Sequence, residues 1–471
     1  MPHDEKGTPR GKSKKGVSRR DFIKLVGLSA AAGAATAAPL SATSLAAPAG
    51  IEGGAENIYS CKDSLNRFAV KNFAFKKVSE EMGEPWMKPW FGNMLKNAKN
   101  SKIGGQVPVK DPREARAHIA LWVASSTWNR LSGPYGDGLE NQGFLSWKPL
   151  GVPPMLLGNP DPNPDPKDLT KKIKQIARFV GANMVGVAKL NRKWVYDEAC
   201  RNAYMHDAPV TKKIVFKEAP APDETDEELI IPESVKYAIV TVIDLNRLAT
   251  QIGPASLATS SATNMGYSRM GITDIALAEA IRAMGYNAIP AKNGVGLSVP
   301  LAIDAGLGQL GRMGLLVTEK YGPAIRIGKV LTDMPLVPDQ PVDFGVTTFC
   351  ESCKKCATEC PPKAIAMGER TYDPPGDTGN PGALKWYVDG RKCLRYWVEA
   401  GASCAACQAV CPYTKGSFWG HGLVRNMIGN VSPLDFLWEP LDTLFGYGGK
   451  RNPDTIWQTK FSPFGIDPTK L

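Results

Sequence analysis

The sequence predicts an α+β protein: a mixed helix and strand body followed by a small C-terminal module organised by cysteines. Three observations carry this. Apolar runs of strand length alternate with amphipathic helical stretches between about residue 166 and residue 340. The run Asn159-Pro160-Asp161-Pro162-Asn163-Pro164-Asp165-Pro166, which no helix interior or central strand could contain, separates that body from what precedes it. Eight of the ten cysteines fall between Cys350 and Cys411.

Those cysteines come in two runs. The first, Cys350, Cys353, Cys356 and Cys360-Pro361, has the C-x2-C-x2-C-x3-C-P spacing of bacterial two-cluster ferredoxins, in which the fourth thiolate reaches across to the other cluster. The second, Cys393, Cys404, Cys407 and Cys411-Pro412, keeps the closing C-x2-C-x3-C-P and stretches its first gap to ten residues. By the crossover rule, Cys350, Cys353, Cys356 and Cys411 would hold one 4Fe-4S cluster, and Cys360, Cys393, Cys404 and Cys407 the other. Zinc sites pair C-x2-C units across a longer loop and do not end in Cys-Pro. Disulfides between cysteines this close along the chain rarely meet the required geometry. Cys61 and Cys200 stand apart and read as free core thiols.

Length and composition allow two or three domains with a large core: 471 residues, 43% of them hydrophobic. Much of the excess behind the formal net charge of +11 lies at the start, where Lys6, Arg10, Lys12, Lys14, Lys15, Arg19, Arg20 and Lys24 face only Asp4, Glu5 and Asp21 and the remaining body is only mildly basic. With no basic helix carrying interleaved aromatics beyond it, a nucleic-acid partner is not expected. Ser18-Arg19-Arg20-Asp21-Phe22-Ile23-Lys24 followed by an Ala- and Gly-rich apolar stretch reads as a twin-arginine export signal. No stretch of about eighteen apolar residues exists elsewhere, so any membrane attachment would need a partner subunit.

Residues Ile51 to Pro160 carry Trp86, Trp90, Trp122, Trp128 and Trp147, which could be core or pocket. In the body, Leu169 to Val180 has helical spacing, Met184 to Ala188 and Tyr237 to Ile243 read as buried strands, and a helix from about Ile272 to Met284 stops at Gly285. Two Gly-rich runs follow, Asn293 to Leu297 and Ala305 to Gly308. Neither is a dinucleotide fingerprint, so NAD is not expected. Ala324 to Leu331 is a further strand. After Cys411 comes an aromatic-rich segment with Phe418, Trp419, Phe436, Trp438, Phe445, Tyr447, Trp457, Phe461 and Phe464, read as wrapping the core.

The signal, the body and the double-cluster module together resemble the respiratory reductive dehalogenases, and the likeness extends to phrases inside the body: Gly181-Ala182-Asn183-Met184-Val185-Gly186 before Trp194-Val195-Tyr196, Ala305-Gly306-Leu307-Gly308 before Arg312, and Leu331-Thr332-Asp333-Met334-Pro335-Leu336. The resemblance implies a nitroreductase-like core holding a corrinoid (a cobamide, base-off) and a ferredoxin-like domain passing electrons to it. The familiar D-x-H-x-x-G corrinoid motif is absent, and none of His3, His118, His206 or His421 sits in it, which agrees with base-off binding. The resemblance also implies domains at 1–49 (signal peptide), 50–165 (substrate- and corrinoid-covering region), 166–340 (corrinoid-binding core), 341–425 (two-cluster ferredoxin-like domain) and 426–471 (C-terminal wrap).

By the same resemblance Tyr267 takes the proton-donor role, Asn293 a role near the substrate, Arg326 that of the neighbouring arginine, and Thr263 a further pocket position. Trp386 and Trp397 are pocket candidates that could instead shield a cluster. Read from the residues alone, Tyr267 could be a helix-start aromatic in the core and Arg326 half of a structural ion pair. A phenol is a poor acid at neutral pH unless its anion is stabilised, and a permanently charged Arg326 would do that. The implied partners are an organohalide substrate, a small membrane anchor subunit and an upstream respiratory electron donor, at the outer face of the cytoplasmic membrane. Two alternatives remain: an enzyme like epoxyqueuosine reductase, against which the export signal argues, and a non-catalytic electron-transfer subunit, against which the long body argues.

Overall fold

A four-stranded antiparallel sheet with helices on both faces positions the site. This computed structural model describes residues 49–50, 53–131, 160–201, 210–414, 451–459 and 461–466. The chain first makes α1 (Ala74–Met82), α2 (Met87–Lys99) and α3 (Pro112–Leu131). Then α4 (Pro166–Phe179) starts where the Pro/Asp run ends: Asp165 accepts from the Lys167 N–H at 2.9 Å, and Pro166 fills a first-turn position that needs no N–H. After β1 (Met184–Lys189), a smaller sheet is built from β2 (Glu198–Arg201), β3 (Val210–Lys217), β4 (Asp223–Glu224) and β5 (Glu228–Pro232), in the order β2-β3-β5-β4.

The body continues with β6 (Tyr237–Asp244), the long α5 (Leu257–Ala283), β7 (Ala288–Pro290), α6 (Ser298–Asp304), a small hairpin of β8 (Gln309–Leu310) and β9 (Leu316–Val317), and β10 (Ile325–Thr332). The main sheet has the order β1-β6-β10-β7. Its central strands pair from Tyr237 opposite Thr332 to Asp244 opposite Ile325. Val185, Val187, Ile239 and Val330 face Ile173 and Ala177 of α4 and Leu277, Ala278 and Ile281 of α5. The alternate residues Ala188, Ala238, Val240, Val242, Ile327 and Leu331 pack with Leu301, Ala302 and Ile303 of α6. With both faces covered, the strands read as continuous apolar runs rather than as alternating patterns.

The helix expected from about Ile272 actually begins at Leu257. Its first half is rich in Ser, Thr and Gly, whose hydroxyls ordinarily compete with helical backbone bonds. Here they are turned inward: Ser256 caps the helix at Thr259 N–H (3.1 Å), Ser260 Oγ donates to Ser256 O (3.0 Å) and Ser261 Oγ to Leu257 O (2.8 Å), all buried. Tyr267 therefore lies in mid-helix and not at a helix start.

The cysteine module comprises α7 (Val346–Ser352), α8 (Lys355–Thr358), α9 (Gly390–Ala400) and α10 (Ala406–Val410). Trp86, Trp90 and Trp122 lie together in a buried cluster that also takes in Met94, Leu257 and Leu394, while Trp128 is exposed. Ile456 joins the same cluster and Arg451 N–H donates to Gln251 O, so the final segment packs on the body there. The export signal, Trp147, His206 and the aromatics from Phe418 to Tyr447 lie outside the described residues. No helix among the described residues is long and apolar enough to cross a membrane.

Candidate active site and iron–sulfur module

Helix α5 lies directly over β10, and two glycines set how closely. A Cβ on Gly266 would come within 2.3 Å of Leu245 and 3.1 Å of Arg326 Cγ. One on Gly328 would come within 2.4 Å of Asp274 Oδ1. This close approach stacks Tyr267 on Arg326, whose guanidinium carbon is 4.7 Å from the ring centroid. Asn293 completes the group, its Nδ2 donating to Tyr267 Oη at 2.8 Å. Thr263, one turn before Tyr267, is buried on the same helix. The structure thus brings together the tyrosine, asparagine and arginine that sequence separates.

The Asn293 amide is aimed by its loop. Lys292 (φ 40°) and Val295 (φ 66°) adopt left-handed conformations unusual for non-glycine residues. The loop pairs with the Trp194 to Tyr196 segment through Tyr196 N–H to Val295 O (2.8 Å) and Leu297 N–H to Trp194 O (2.7 Å), and a Cβ on Gly296 would lie 2.5 Å from Trp194 O. Beneath it, the ammonium of Lys329, fully buried, donates to Lys292 O at 2.8 Å and Ser298 Oγ at 2.9 Å. Asp274 on α5 accepts from Thr241 Oγ1 (3.0 Å) and the Lys329 N–H (3.1 Å). Burial pushes the Asp274 carboxyl up and the Lys329 ammonium down, and their mutual attraction works against both shifts.

Sequence reading assigned no role to Tyr196. Its hydroxyl reaches Asn293 O at 3.4 Å, and its ring packs edge-on against Phe73. Burial, and then the neighbouring Tyr267, hold its phenol well above the usual range. The only signal was its place in the Trp194-Val195-Tyr196 phrase.

The cysteines divide into two neighbourhoods. Cys411 is within electrostatic reach of Cys350, Cys356 and Cys353, whereas Cys407 is within reach of Cys404, Cys393 and Cys360. Cys356 also senses Cys407, so the two groups adjoin. Burial raises the thiols of Cys350, Cys393 and Cys404 to about 12 and pushes up those of Cys356, Cys407 and Cys411 as well, so the thiolates a cluster needs would be held by the charge of bound iron. Backbone N–H groups point at sulfur, with Ala364 to Cys360 Sγ at 3.3 Å and Gln408, Tyr413 and Ala406 serving Cys407, Cys411 and Cys404. Among the described residues no three ligand-type side chains converge as a single metal ion requires. A cubane carries its four thiolates on separate irons, so they need not meet at a point.

The module docks on the helix that carries Tyr267. Cys404 pairs in a β-bridge with Ala255, just before the Ser256 cap, and Ser403 N–H donates to Ser260 Oγ at 2.7 Å. Trp386 is buried among Cys350, Cys353, Cys356, Cys360 and Cys411 and donates to Gly368 O at 3.1 Å. Trp397 packs at the edge of the Trp86, Trp90 and Trp122 cluster. His118 is buried in α3, 5.1 Å from the Trp457 ring. Cys61 is a half-buried free thiol, raised to about 11 by burial and then by Glu56, and the side chain of Cys200 is not described.

Such a mixed core joined to a two-cluster module defines an iron–sulfur oxidoreductase, and comparison with known proteins specifies the class. Residues 349–415 match the 4Fe-4S dicluster domain, which supports two 4Fe-4S clusters. The chain is 41% identical to the tetrachloroethene reductive dehalogenase of Sulfurospirillum multivorans over 97% of its own length and 96% of that protein. It is 36% identical to the tetrachloroethene reductive dehalogenase of Dehalobacter restrictus over 61% of this chain and 55% of that one. A solved reductive dehalogenase, described as suggesting a mechanism for B12-dependent dehalogenation, superposes with a TM-score of 0.57 at 21% identity, over 82% of this chain and 47% of the other, and shows the shared fold. The chain belongs to the reductive dehalogenase family.

Proposed function

We propose that this enzyme removes halide from a small organohalide, a chlorinated ethene being the first candidate, at a corrinoid bound beside Tyr267. The observation that carries the reading is the Tyr267, Asn293 and Arg326 constellation. Asn293 Nδ2 is the donor in its bond to Tyr267 Oη, which leaves the phenol's own proton free to be given away. The guanidinium stacked on the ring and the amide aimed at the oxygen both favour the negative charge that remains after that transfer.

The site leaves a donor for the polar edge of a ligand. Arg326 Nε is buried and has no hydrogen-bond partner among the described residues, and Thr263 is buried one turn from Tyr267. When bound there, a corrinoid supplies a low-potential reductant for the carbon–halogen bond. The chain's own part is to hold substrate against Tyr267, deliver the proton from Oη and bring in electrons. Cys360, Cys393, Cys404 and Cys407 would hold the cluster next to α5, because Cys404 pairs with Ala255 at the start of that helix. Cys350, Cys353, Cys356 and Cys411 would hold the second.

The same reading makes the enzyme a terminal reductase of organohalide respiration. It would be exported by the twin-arginine route, work at the outer face of the cytoplasmic membrane, be held there by a small anchor subunit and be fed by an upstream respiratory donor. The test is anoxic halide release from chlorinated ethenes, alkanes and benzenes, driven by reduced viologen, with corrinoid-loaded protein. Release above a protein-free corrinoid control is expected. No release from protein shown to hold corrinoid and both clusters would overturn the substrate class, and failure to bind corrinoid at all would favour an electron carrier.

A further inference from the structure

Arg312 occupies the turn of the β8–β9 hairpin, yet its side chain is buried, 1% exposed. The guanidinium is saturated by backbone carbonyls of the cysteine module: Nε and Nη2 to Cys350 O (3.0 and 2.8 Å), Nη2 to Glu351 O (3.3 Å), and Nη1 to Ala366 O and Gly368 O (both 2.9 Å). Its carbon sits 4.4 Å from the Trp386 ring centroid. Every one of these acceptors is neutral. The nearby carboxylate, Glu351, pairs instead with Arg370 at 3.0 Å.

A buried guanidinium keeps its charge and is costly without a compensating negative group. The group in position to compensate is the cluster. The main-chain N–H of Arg312 donates to the Cys350 thiol, and the charge of its guanidinium acts on Cys350 and Cys356. A four-thiolate cluster is anionic and becomes more so on reduction, and its potential follows the charges and hydrogen bonds around it.

We propose that Arg312 is the built-in counter-cation of the cluster held by Cys350, Cys353, Cys356 and Cys411, and that it holds that cluster's midpoint potential above the value the same ligands would give alone. It acts as a positioning and tuning residue on the electron path, tying a loop of the body to one cluster and leaving the other untouched. The inference rests on the two-tetrad assignment proposed above.

The test is a potentiometric titration of anoxically purified protein followed by electron paramagnetic resonance, on wild type, Arg312→Gln and Arg312→Lys, each checked for iron. Wild type should hold about eight irons in two clusters; a lower count would sink the tetrad assignment itself, independently of Arg312. With iron retained, Arg312→Gln should move one midpoint potential to more negative values and leave the other in place, while Arg312→Lys stays near wild type. Both potentials unmoved in an iron-replete Arg312→Gln protein would overturn the proposal. If the Gln variant loses iron, the Lys variant decides: full iron with near-native potentials supports a charge role, and loss of iron there too shows that only the guanidinium's bonds to carbonyls matter.

Discussion

The side-chain amide of Asn293 donates to the phenol oxygen of Tyr267 at 2.8 Å, joining a left-handed loop to the middle of a long helix. That direction of donation leaves the phenol proton unspent. Replacing Tyr267 with Phe removes the proton and little else, so Tyr267→Phe should keep about eight irons and reducible clusters while halide release falls by roughly 10²- to 10⁴-fold. Steady-state halide release beside cluster spectra checks this, and near-native turnover would exclude Tyr267 as donor.

Asn293→Leu deletes the bond to Oη and leaves the ring in place. A hydrogen bond to a group that becomes charged is worth about 1.5–3 kcal/mol, so kcat should fall by roughly 10- to 100-fold. Arg326→Lys keeps the charge but loses the planar stack on the ring, and the same measurement should place it well below wild type.

The crossover assignment has a direct test in single ligands. Cys411→Ser should remove the cluster of Cys350, Cys353 and Cys356 although Cys411 lies beside Cys407 in sequence, and Cys393→Ser should remove the other. Iron should drop from about eight to about four per chain in each, with a different paramagnetic signal lost. Loss of the same signal in both would refute the pairing.

His118 is a neutral group in the folded chain, lowered to about 4 by burial, which outweighs the opposing effect of Asp454; neither ring nitrogen has a hydrogen-bond partner among the described residues. The unfolded chain, with its histidine near 6.5, binds the proton first as pH falls. Stability from this group is therefore fully present above pH 6.5 and is lost toward pH 4, by about 2 kcal/mol at pH 5. Urea unfolding at pH 7.5 and pH 5 should show a smaller acid-dependent loss in His118→Leu than in wild type.

Gly328→Ala would place a methyl 2.4 Å from Asp274 Oδ1 and 2.6 Å from Thr241 Oγ1, inside the buried Asp274, Thr241 and Lys329 network. Those atoms belong to hydrogen-bonded side chains under α5 and have nowhere to retreat. A loss of about 1–3 kcal/mol in unfolding free energy is expected, read from urea midpoints at constant slope.

Local spacing determined a great deal in this protein. The candidate cluster ligands announce themselves through short Cys-x2-Cys repeats, although each assigned tetrad also takes one thiolate from the other run. The strands around Val187, Ile239 and Ile327 announce themselves as apolar runs because both sheet faces are covered. The α4 start is written in Asp165 and Pro166. Tertiary structure alone decided the first half of α5, where buried hydroxyls of Ser256, Ser260 and Ser261 turn weak helix formers into helix. It also decided the meeting of Tyr267, Asn293 and Arg326, which depends on two glycines allowing helix and strand to close up, and on Lys329 holding a strained loop from below. The same holds for the placement of Tyr196 and Arg312: a tyrosine and an arginine are ordinary in sequence, and only the fold sets one against Asn293 and buries the other against the carbonyls around Cys350.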